Sequence, residues 1–312
     1  MERLTDHRIV LVTRRTRLED LIRKFNTRAQ ARFYVEHLGA DFDDYELEHQ
    51  CYSAQRDICL AVLARLGNVS EIERSFLPNF LFRPDDTIVV LGQDGTVANT
   101  LKYLSGQPCL GVNPDPVRWD GVLLPFQAPE LIEILPEVFA KRARLQAVTF
   151  AKATLNTGET LLGVNDLFIG PRSHTSARYQ IRHDGKLETQ SSSGIIVSTG
   201  LGSTGWLKSI LQGATAIARA ATSQAAPDPN TDLPWDHPQL VFTVREPFPS
   251  RSTQATLVYG TINERMPLSL VSTMASSGVI FSDGIEADFL NFNNGTQVTI
   301  TVVPGAGSLV TR

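Results

Sequence analysis

Asp94 stands inside a glycine turn, where a carboxylate has few uses besides chemistry. Residues 88–96 read Ile-Val-Val-Leu-Gly-Gln-Asp-Gly-Thr. The apolar run Ile88 to Leu91 has the pattern of a buried strand, and Val97, Ala98, Leu101 and Leu104 then share one helical face. A strand that passes through a glycine turn into a helix makes a phosphate cradle. The glycines admit close backbone N–H groups, and the helix N-terminus adds positive potential. An acidic residue there repels phosphate. It makes sense if Asp94 takes a proton from an attacking hydroxyl, or if Mg²⁺ lies between it and the phosphates. The alternative is a plain strand–helix turn or hairpin, because Asp-Gly is a common turn pair.

A second cluster, Gly200-Leu-Gly202-Ser-Thr-Gly205, matches G-x-G-x-x-G after a strand pattern and before a helix pattern. A dinucleotide fold also needs a second strand ending in an acid about 20 residues on. The first acid after Gly205 is Asp228, in a proline-rich stretch with no strand before it. This argues against a Rossmann oxidoreductase. Ser198, Thr199, Ser203 and Thr204 still place hydroxyls beside a permissive backbone at a helix start, which suits a nucleoside or phosphate. Helix capping by Ser203 or Thr204 uses the same residues without a ligand.

The elements that must hold these clusters follow from the hydrophobic patterning. Arg8 to Val12 and Thr87 to Leu91 read as strands, as does Cys109 to Val112. Residues 16–38, 54–66 and 97–104 read as helical. Alternation of this kind predicts an α/β domain with a parallel, two-sided sheet, whose ligands bind at the carboxyl ends of the strands. A boundary falls near residues 125–144, across a short helix. Strands then dominate: 145–150, 160–169, 177–182, 186–189, 194–199, 240–244, 254–259, 268–271, 278–281 and 297–303. Asp184-Gly185 forms a hairpin turn, and one helix spans about 206–220. Residues 221–238 read as a loop insertion. The expected organisation is an α/β nucleotide-binding domain over 1–140 and a β-rich acceptor-binding domain over 141–312, with the site between them.

Composition narrows the class. The chain has 312 residues, 42 % hydrophobic and 20 % charged, with a net charge of −4. That balance argues against a general nucleic-acid binder. The basic run Arg14, Arg15, Arg17, Arg23, Lys24, Arg28 and Arg32 reads as a solvated helix face, with an anion or subunit contact as the alternative. The acidic stretch Asp41, Asp43, Asp44, Glu46 and Glu48 lacks calcium-loop spacing and reads as an exposed loop. No apolar run approaches the roughly 20 residues of a membrane span, and the N-terminus lacks a signal-peptide apolar region. Cys51, Cys59 and Cys109 have no metal-ligand spacing, and Cys59 and Cys109 sit in apolar contexts as buried thiols. A cytoplasmic setting fits.

Taken in order, the motifs resemble the NAD kinase family, within the wider group of Gly-Gly-Asp-Gly-Thr signature kinases. Gly92-Gln93-Asp94-Gly95-Thr96 resembles that signature. Asn165-Asp166 resembles the family's Asn-Glu pair. Gly194-Ile-Ile-Val-Ser198-Thr199 followed by Gly202-Ser203-Thr204 resembles its second segment, and Ser282-Asp283-Gly284 its late Asp-Gly element. The resemblance implies an α/β domain, a β-sandwich-like domain, and transfer of the γ-phosphoryl group of ATP, with Mg²⁺ or another divalent cation, to the 2′-hydroxyl of the adenosine ribose of NAD. It implies Asp94 as general base. Gly92, Gln93, Gly95, Thr96 and Asn113 would bind nucleotide or phosphate, and Asn165, Asp166, Ser198, Thr199, Gly202, Ser203 and Thr204 the acceptor. It implies a homo-oligomer, with neither nucleic acid nor membrane as partner.

The departures from the family pattern are specific. Gln93 replaces a signature glycine, and Asp166 is one methylene shorter than Glu. Ser193 stands where an acid is usual, Gly200-Leu201 replace proline and a polar residue, and Trp206 replaces tyrosine. Most changes fall on the acceptor side, so phosphoryl transfer is better supported than NAD as acceptor. Two other readings share the motifs: a non-catalytic nucleotide-binding or sensing protein of the same fold, and a lipid or sugar kinase with the same glycine signature.

Overall fold

The apolar runs at 9–12 and 88–91 are buried at every position, as parallel strands covered on both faces must be. In the computed structural model, which describes residues 4–222 and 228–312, they are neighbouring strands. The chain divides into one unit of Met1–Gln146 with Ser308–Arg312, and another of Ala147–Gly307. The sequence-based division stood at 140/141 and assigned the C-terminal residues to the second part; in the structure those last residues belong to the first unit.

The first unit runs β1 (Arg8–Thr13), α1 (Arg17–Phe25), α2 (Arg28–His37), α3 (Phe42–Leu66), β2 (Asn68–Glu73), β3 (Thr87–Leu91), α4 (Asp94–Leu101), β4 (Cys109–Val112) and α5 (Leu131–Phe139). Its sheet is parallel, in the order β2-β1-β3-β4. Cys59 and Leu63 of α3 and Leu131 and Leu135 of α5 join Ile9, Leu11, Val89 and Leu91 in one core. α4 packs on β3 and β4 through buried Val97, Ala98 and Leu101. Because β1 has β2 on one side and β3 on the other, the topology switches direction at the carboxyl ends of β1 and β3. Ligands of open α/β sheets bind at such a point.

Three expectations change here. The single helix over 16–38 is two helices, broken where Asn26 takes a left-handed φ of 66°. The supposed acidic loop at 41–48 is the opening of α3, capped by the Asp41 side chain, which accepts from the Asp43 N–H. The basic run is not simply solvated. Arg17 pairs with Asp44 and Glu48, Arg14 with Glu48, and Arg28 and Arg32 with Glu46. The packing of α1 and α2 on α3 brings together opposite charges that lie far apart in sequence. The half-exposed edge strand β2 carries too few apolar residues to have shown in the sequence pattern.

The second unit is built from β5 (Leu145–Leu155), β6 (Thr160–Gly163), β7 (Asp166–Pro171), β8 (Ala177–His183), β9 (Lys186–Ser192), β10 (Ile195–Ser198), α6 (Trp206–Thr222), β11 (Leu240–Val244), β12 (Tyr259–Ile262), β13 (Leu268–Ser272), β14 (Gly278–Ser282), β15 (Ile285–Asn291) and β16 (Gln297–Val310), the first two residues of β5 and the last three of β16 belonging to the first unit. One antiparallel sheet has the order β12-β11-β10-β7-β14-β15, and another runs β16-β13-β8-β9, with β5 pairing β16 and β6. Their facing side chains, among them Tyr179, Ile181, Ile195, Val197, Phe242 and Ile300, form one core, which is sandwich packing. The Asp184-Gly185 turn has φ of 48° and 71°, as a tight hairpin requires.

The strand expected over 160–169 is broken at Val164-Asn165, which opens a loop between β6 and β7. The strand expected at 254–259 does not form, and β12 begins at Tyr259. The expected insertion at 221–238 starts inside α6; residues 223–227 lie outside the described residues, and 228–238 form no helix or strand. No helix among the described residues is long and apolar enough to cross a membrane.

Candidate functional site

Asp94 is the first residue of α4, immediately beyond the carboxyl end of β3. Gln93, the N-cap, has φ −121° and ψ 166°, ordinary extended backbone. The turn therefore accepts a side chain where the kinase signature has glycine. Gln93 makes no side-chain cap, so none of the first-turn N–H groups is taken by a capping side chain. Gly95 is exposed, and a Cβ there would meet nothing within 4 Å. Thr96 is 1 % exposed, and its Oγ1 has no hydrogen-bond partner among the described residues. A buried hydroxyl without a partner is costly unless something satisfies it. The Thr96 and Val97 N–H groups turn back to the Gln93 carbonyl at 2.8 and 3.3 Å, so the uncapped amides of Asp94 and Gly95, an open glycine and an unsatisfied hydroxyl are what suit an anion.

The Asp94 carboxylate is held by one bond: the Leu123 N–H donates to Oδ1 at 2.8 Å. It has no ion pair among the described residues, so one oxygen is fixed and the other is available. The Asn113 side chain is engaged within its own loop. Its Nδ2 donates to the Trp119 carbonyl at 2.9 Å, and its Oδ1 accepts from the Asp115 N–H at 3.0 Å. The side chain closes the segment that delivers Leu123.

Two contributors were not singled out in the sequence. The Leu123 amide is backbone and has no residue-type signature. Tyr52 lies in a polar stretch of α3, where nothing marks it. Its Oη accepts from the Arg14 N–H at 2.8 Å and donates to the Leu91 carbonyl at 3.0 Å. Tyr52 thus ties together the carboxyl ends of β1 and β3 beside the glycine turn. Burial pushes its phenol up to about 12, outweighing the Arg14 contact. It stays a neutral donor.

In the second unit, the strand break at Val164-Asn165 meets the Gly200–Gly205 segment. The Thr199 N–H donates to the Asn165 carbonyl at 3.0 Å, and the Thr199 hydroxyl to the Val164 carbonyl at 2.5 Å. A Cβ on Gly202 would lie 2.0 Å from the Asn165 carbonyl oxygen, and one on Gly200 1.9 Å from that of Pro234. Both glycines are needed for the chain segments to touch. Ser198 donates to the Thr199 carbonyl, and Ser203 donates to the Gly200 carbonyl while accepting from the Leu233 N–H. These three hydroxyls are buried and engaged inside the protein; Thr204 alone of the four is exposed.

Asp283 closes the same loop. Its carboxylate accepts from the Val164, Asn165 and Asp166 N–H groups, the shortest at 2.6 Å. Asp166 is 9 % exposed. Burial, with the charge of Asp283 added, pushes its carboxyl up to about 7. Near neutrality it is a carboxyl that can donate as well as accept. Asn165, Asp166, Thr199, Gly202 and Asp283 therefore form one connected group, with the half-buried Asn165 side chain as its outlet.

The fold has counterparts among solved structures. The chain is similar over 99 % of its length to the crystal structure of yeast NADH kinase complexed with NADH, covering 84 % of that chain with a TM-score of 0.55 and 15 % identity. It is similar over 97 % of its length to an NAD kinase from Archaeoglobus fulgidus in complex with ATP, covering 93 % of that chain with a TM-score of 0.53 and 16 % identity. The chain has the NAD kinase fold. No family model and no curated protein matches the sequence. At this identity, the likeness to the NAD kinases is one of fold, and function must be argued from the residues.

Proposed function

We propose that the chain is an ATP-dependent kinase that phosphorylates the 2′-hydroxyl of the adenosine ribose of NAD, or a closely related small-molecule hydroxyl. The observation that carries this reading is Asp94, a carboxylate without an ion pair among the described residues, oriented by a backbone amide inside a turn suited to an anion. In this reading the Asp94 and Gly95 amides at the start of α4, with Gly92, Gln93 and the Thr96 hydroxyl, hold the donor's phosphates. Asn113 sets the loop that fixes Asp94. Asn165 and Asp166 hold the acceptor ribose, and Ser198, Thr199, Gly202 and Ser203 shape that loop, with Thr204 free to contact ligand. Asp94 takes the hydroxyl proton as the new O–P bond forms and ADP departs.

Mg²⁺ usually binds through substrate phosphates and one or two carboxylates. Among the described residues no three His, Cys, Asp or Glu side chains group as a metal cage. Asp94 is the one carboxylate in the turn, which fits an ion held chiefly by the nucleotide and neutralising its charge.

The expected result for Asp94→Asn is a folded protein whose kcat falls by roughly 10²–10⁴, measured with Mg-ATP and NAD by formation of NADP. A folded variant with undiminished turnover rejects Asp94 as the base. The internal engagement of the Ser198, Thr199 and Ser203 hydroxyls favours one other reading, a nucleotide-binding protein without turnover. Tight calorimetric binding of ATP or NAD, with no phosphorylated product after long incubation, would establish that alternative.

A further inference from the structure

The parallel sheet of the first unit has a second end. β1, β3 and β4 begin at Arg8, Thr87 and Cys109, on the side opposite to the turn that carries Asp94. A five-residue strand spans roughly 16 Å, so a ligand there lies far from the glycine turn. At this end a cavity of about 520 Å³ opens. Pro84 and Pro108 lie ahead of β3 and β4, Val138 and Phe139 come from the last turn of α5, and Ala143 and Leu145 flank the start of β5; together they give the cavity an apolar lining. The two prolines contribute hydrocarbon without a backbone N–H, and the Pro108 carbonyl is already taken by the Ile88 N–H at 3.0 Å.

The charges on the lining are paired except for one. Asp86, 1 % exposed, accepts from the Arg8 guanidinium at 3.0 and 2.6 Å. Asp85 Oδ2 lies 2.7 Å from His7 Nδ1, a contact that holds the Asp85 carboxyl below the usual carboxylate range. Lys141 also lines the cavity, is exposed, and has no ion pair among the described residues. It follows the end of α5 with a left-handed φ of 55°, where glycine is the ordinary residue. The Lys141 N–H returns to the Val138 carbonyl, and those of Arg142 and Ala143 to the Glu137 carbonyl, so the helix end is closed by its own chain. A long cationic side chain is thus carried at a position the backbone alone would give to glycine.

We propose that this cavity binds an apolar carboxylate, its ring or hydrocarbon chain against the proline, phenylalanine and aliphatic lining and its single negative charge at Lys141. The volume falls within the roughly 300–1,000 Å³ of small-molecule pockets, which are mostly apolar with a few polar groups. Burial of hydrocarbon supplies the affinity. The one unpaired ammonium supplies the preference for an anion. The inference does not rest on the kinase reading, since the cavity lies at the other end of the sheet from Asp94 and its test uses no nucleotide.

The test is titration of the full chain with phenylpropionate, octanoate, phenylpropanol and phenylpropylamine, followed by calorimetry and by amide chemical shifts. Phenylpropionate or octanoate should bind with a Kd of about 1 mM or tighter, with shifts centred on Val138, Ala143 and Leu145. The tighter of the two acids tells whether the lining takes a ring or a chain. The alcohol and the amine should bind about 5-fold more weakly than phenylpropionate. Lys141→Gln should weaken the acid about 5-fold and leave the alcohol within about twofold, while Lys141→Arg should keep the native affinity. Ala143→Phe, which fills the cavity, should remove binding of acid and alcohol alike. Thermal melting checks that it folds; if it does not, the shifts and the Lys141 variants carry the comparison. The alcohol or the amine binding as tightly as the acid, acid affinity unchanged in Lys141→Gln, shifts centred elsewhere in the chain, or no binding of either acid at millimolar concentration overturns the inference.

Discussion

At the scale of single residues, two positions separate chemistry from folding. Gly95 lies at the second position of α4 with open space around its Cα. Gly95→Ala should leave stability unchanged or raise it by up to about 1 kcal/mol, because alanine favours helix. Under the kinase reading the methyl group enters space a phosphate needs, and kcat/KM for ATP should fall about 10²-fold. A variant with full activity removes Gly95 from the phosphate site. Asp166 gives a pH signature. Its folded pKa of about 7 lies above the ordinary carboxylate value, so the folded state binds the proton more tightly. That contribution to stability is complete below about pH 4 and is lost as pH rises through 7. Asp166→Asn cannot ionise, so relative to the native chain it should gain up to about 4 kcal/mol above pH 7 and little near pH 4. Melting curves across that range decide it, and parallel profiles for the two proteins would remove Asp166 as the titrating group.

At the scale of elements, the helical layer before β2 depends on charge as well as on apolar packing. Its own core is small: Leu18, Ala31, Val35 and Phe42. α1 is stopped at its start by a capping box between Thr16 and Glu19. Glu48 of α3 sits 4 % exposed between Arg14, itself only 8 % exposed, and Arg17. Removing one partner of a buried pair leaves the other without compensation. Glu48→Ala should therefore cost about 3–5 kcal/mol in urea unfolding, far more than loss of an exposed pair such as Arg142–Glu137, whose charges are screened by solvent. Equal effects for the two would show that the buried pair is solvated. Tyr52 lies one turn further along α3, so the same helix that gathers these charges also ties the strand ends beside Asp94.

At the scale of the whole chain, the last residues return to the first unit. Leu309 pairs with Cys109, Leu309 and Val310 are almost fully buried, and the Thr311 N–H donates to the Arg144 carbonyl. Arg312 reaches the Glu130 carboxylate and the Pro125 carbonyl. Deleting 308–312 should destabilise the first unit by several kcal/mol, at roughly 1.5–3 kcal/mol for each buried apolar side chain lost. Amide exchange would show the loss concentrated in β3, β4 and α5. Uniform loss across both units, or none, would contradict the assignment of these residues to the first.

The sequence by itself determined the strands that flank the glycine turn, the location of that turn, and the order of motifs by which the fold was expected. These signals are local: a run of apolar side chains, a glycine, an acid beside it. β3, β4 and β11 span the ranges expected from their apolar runs, because each is buried at every position and only threonine stands among the apolar side chains and Gly111. Tertiary structure alone decided which acids neutralise the arginine run, that an amide at Leu123 holds Asp94, and that three candidate hydroxyls serve the protein's own backbone. It also decided that Asp283 closes the loop around Asp166. Each of these depends on groups distant in sequence, and backbone amides carry no mark of residue type. Only the folded chain sets the distances on which hydrogen bonds and charge interactions depend.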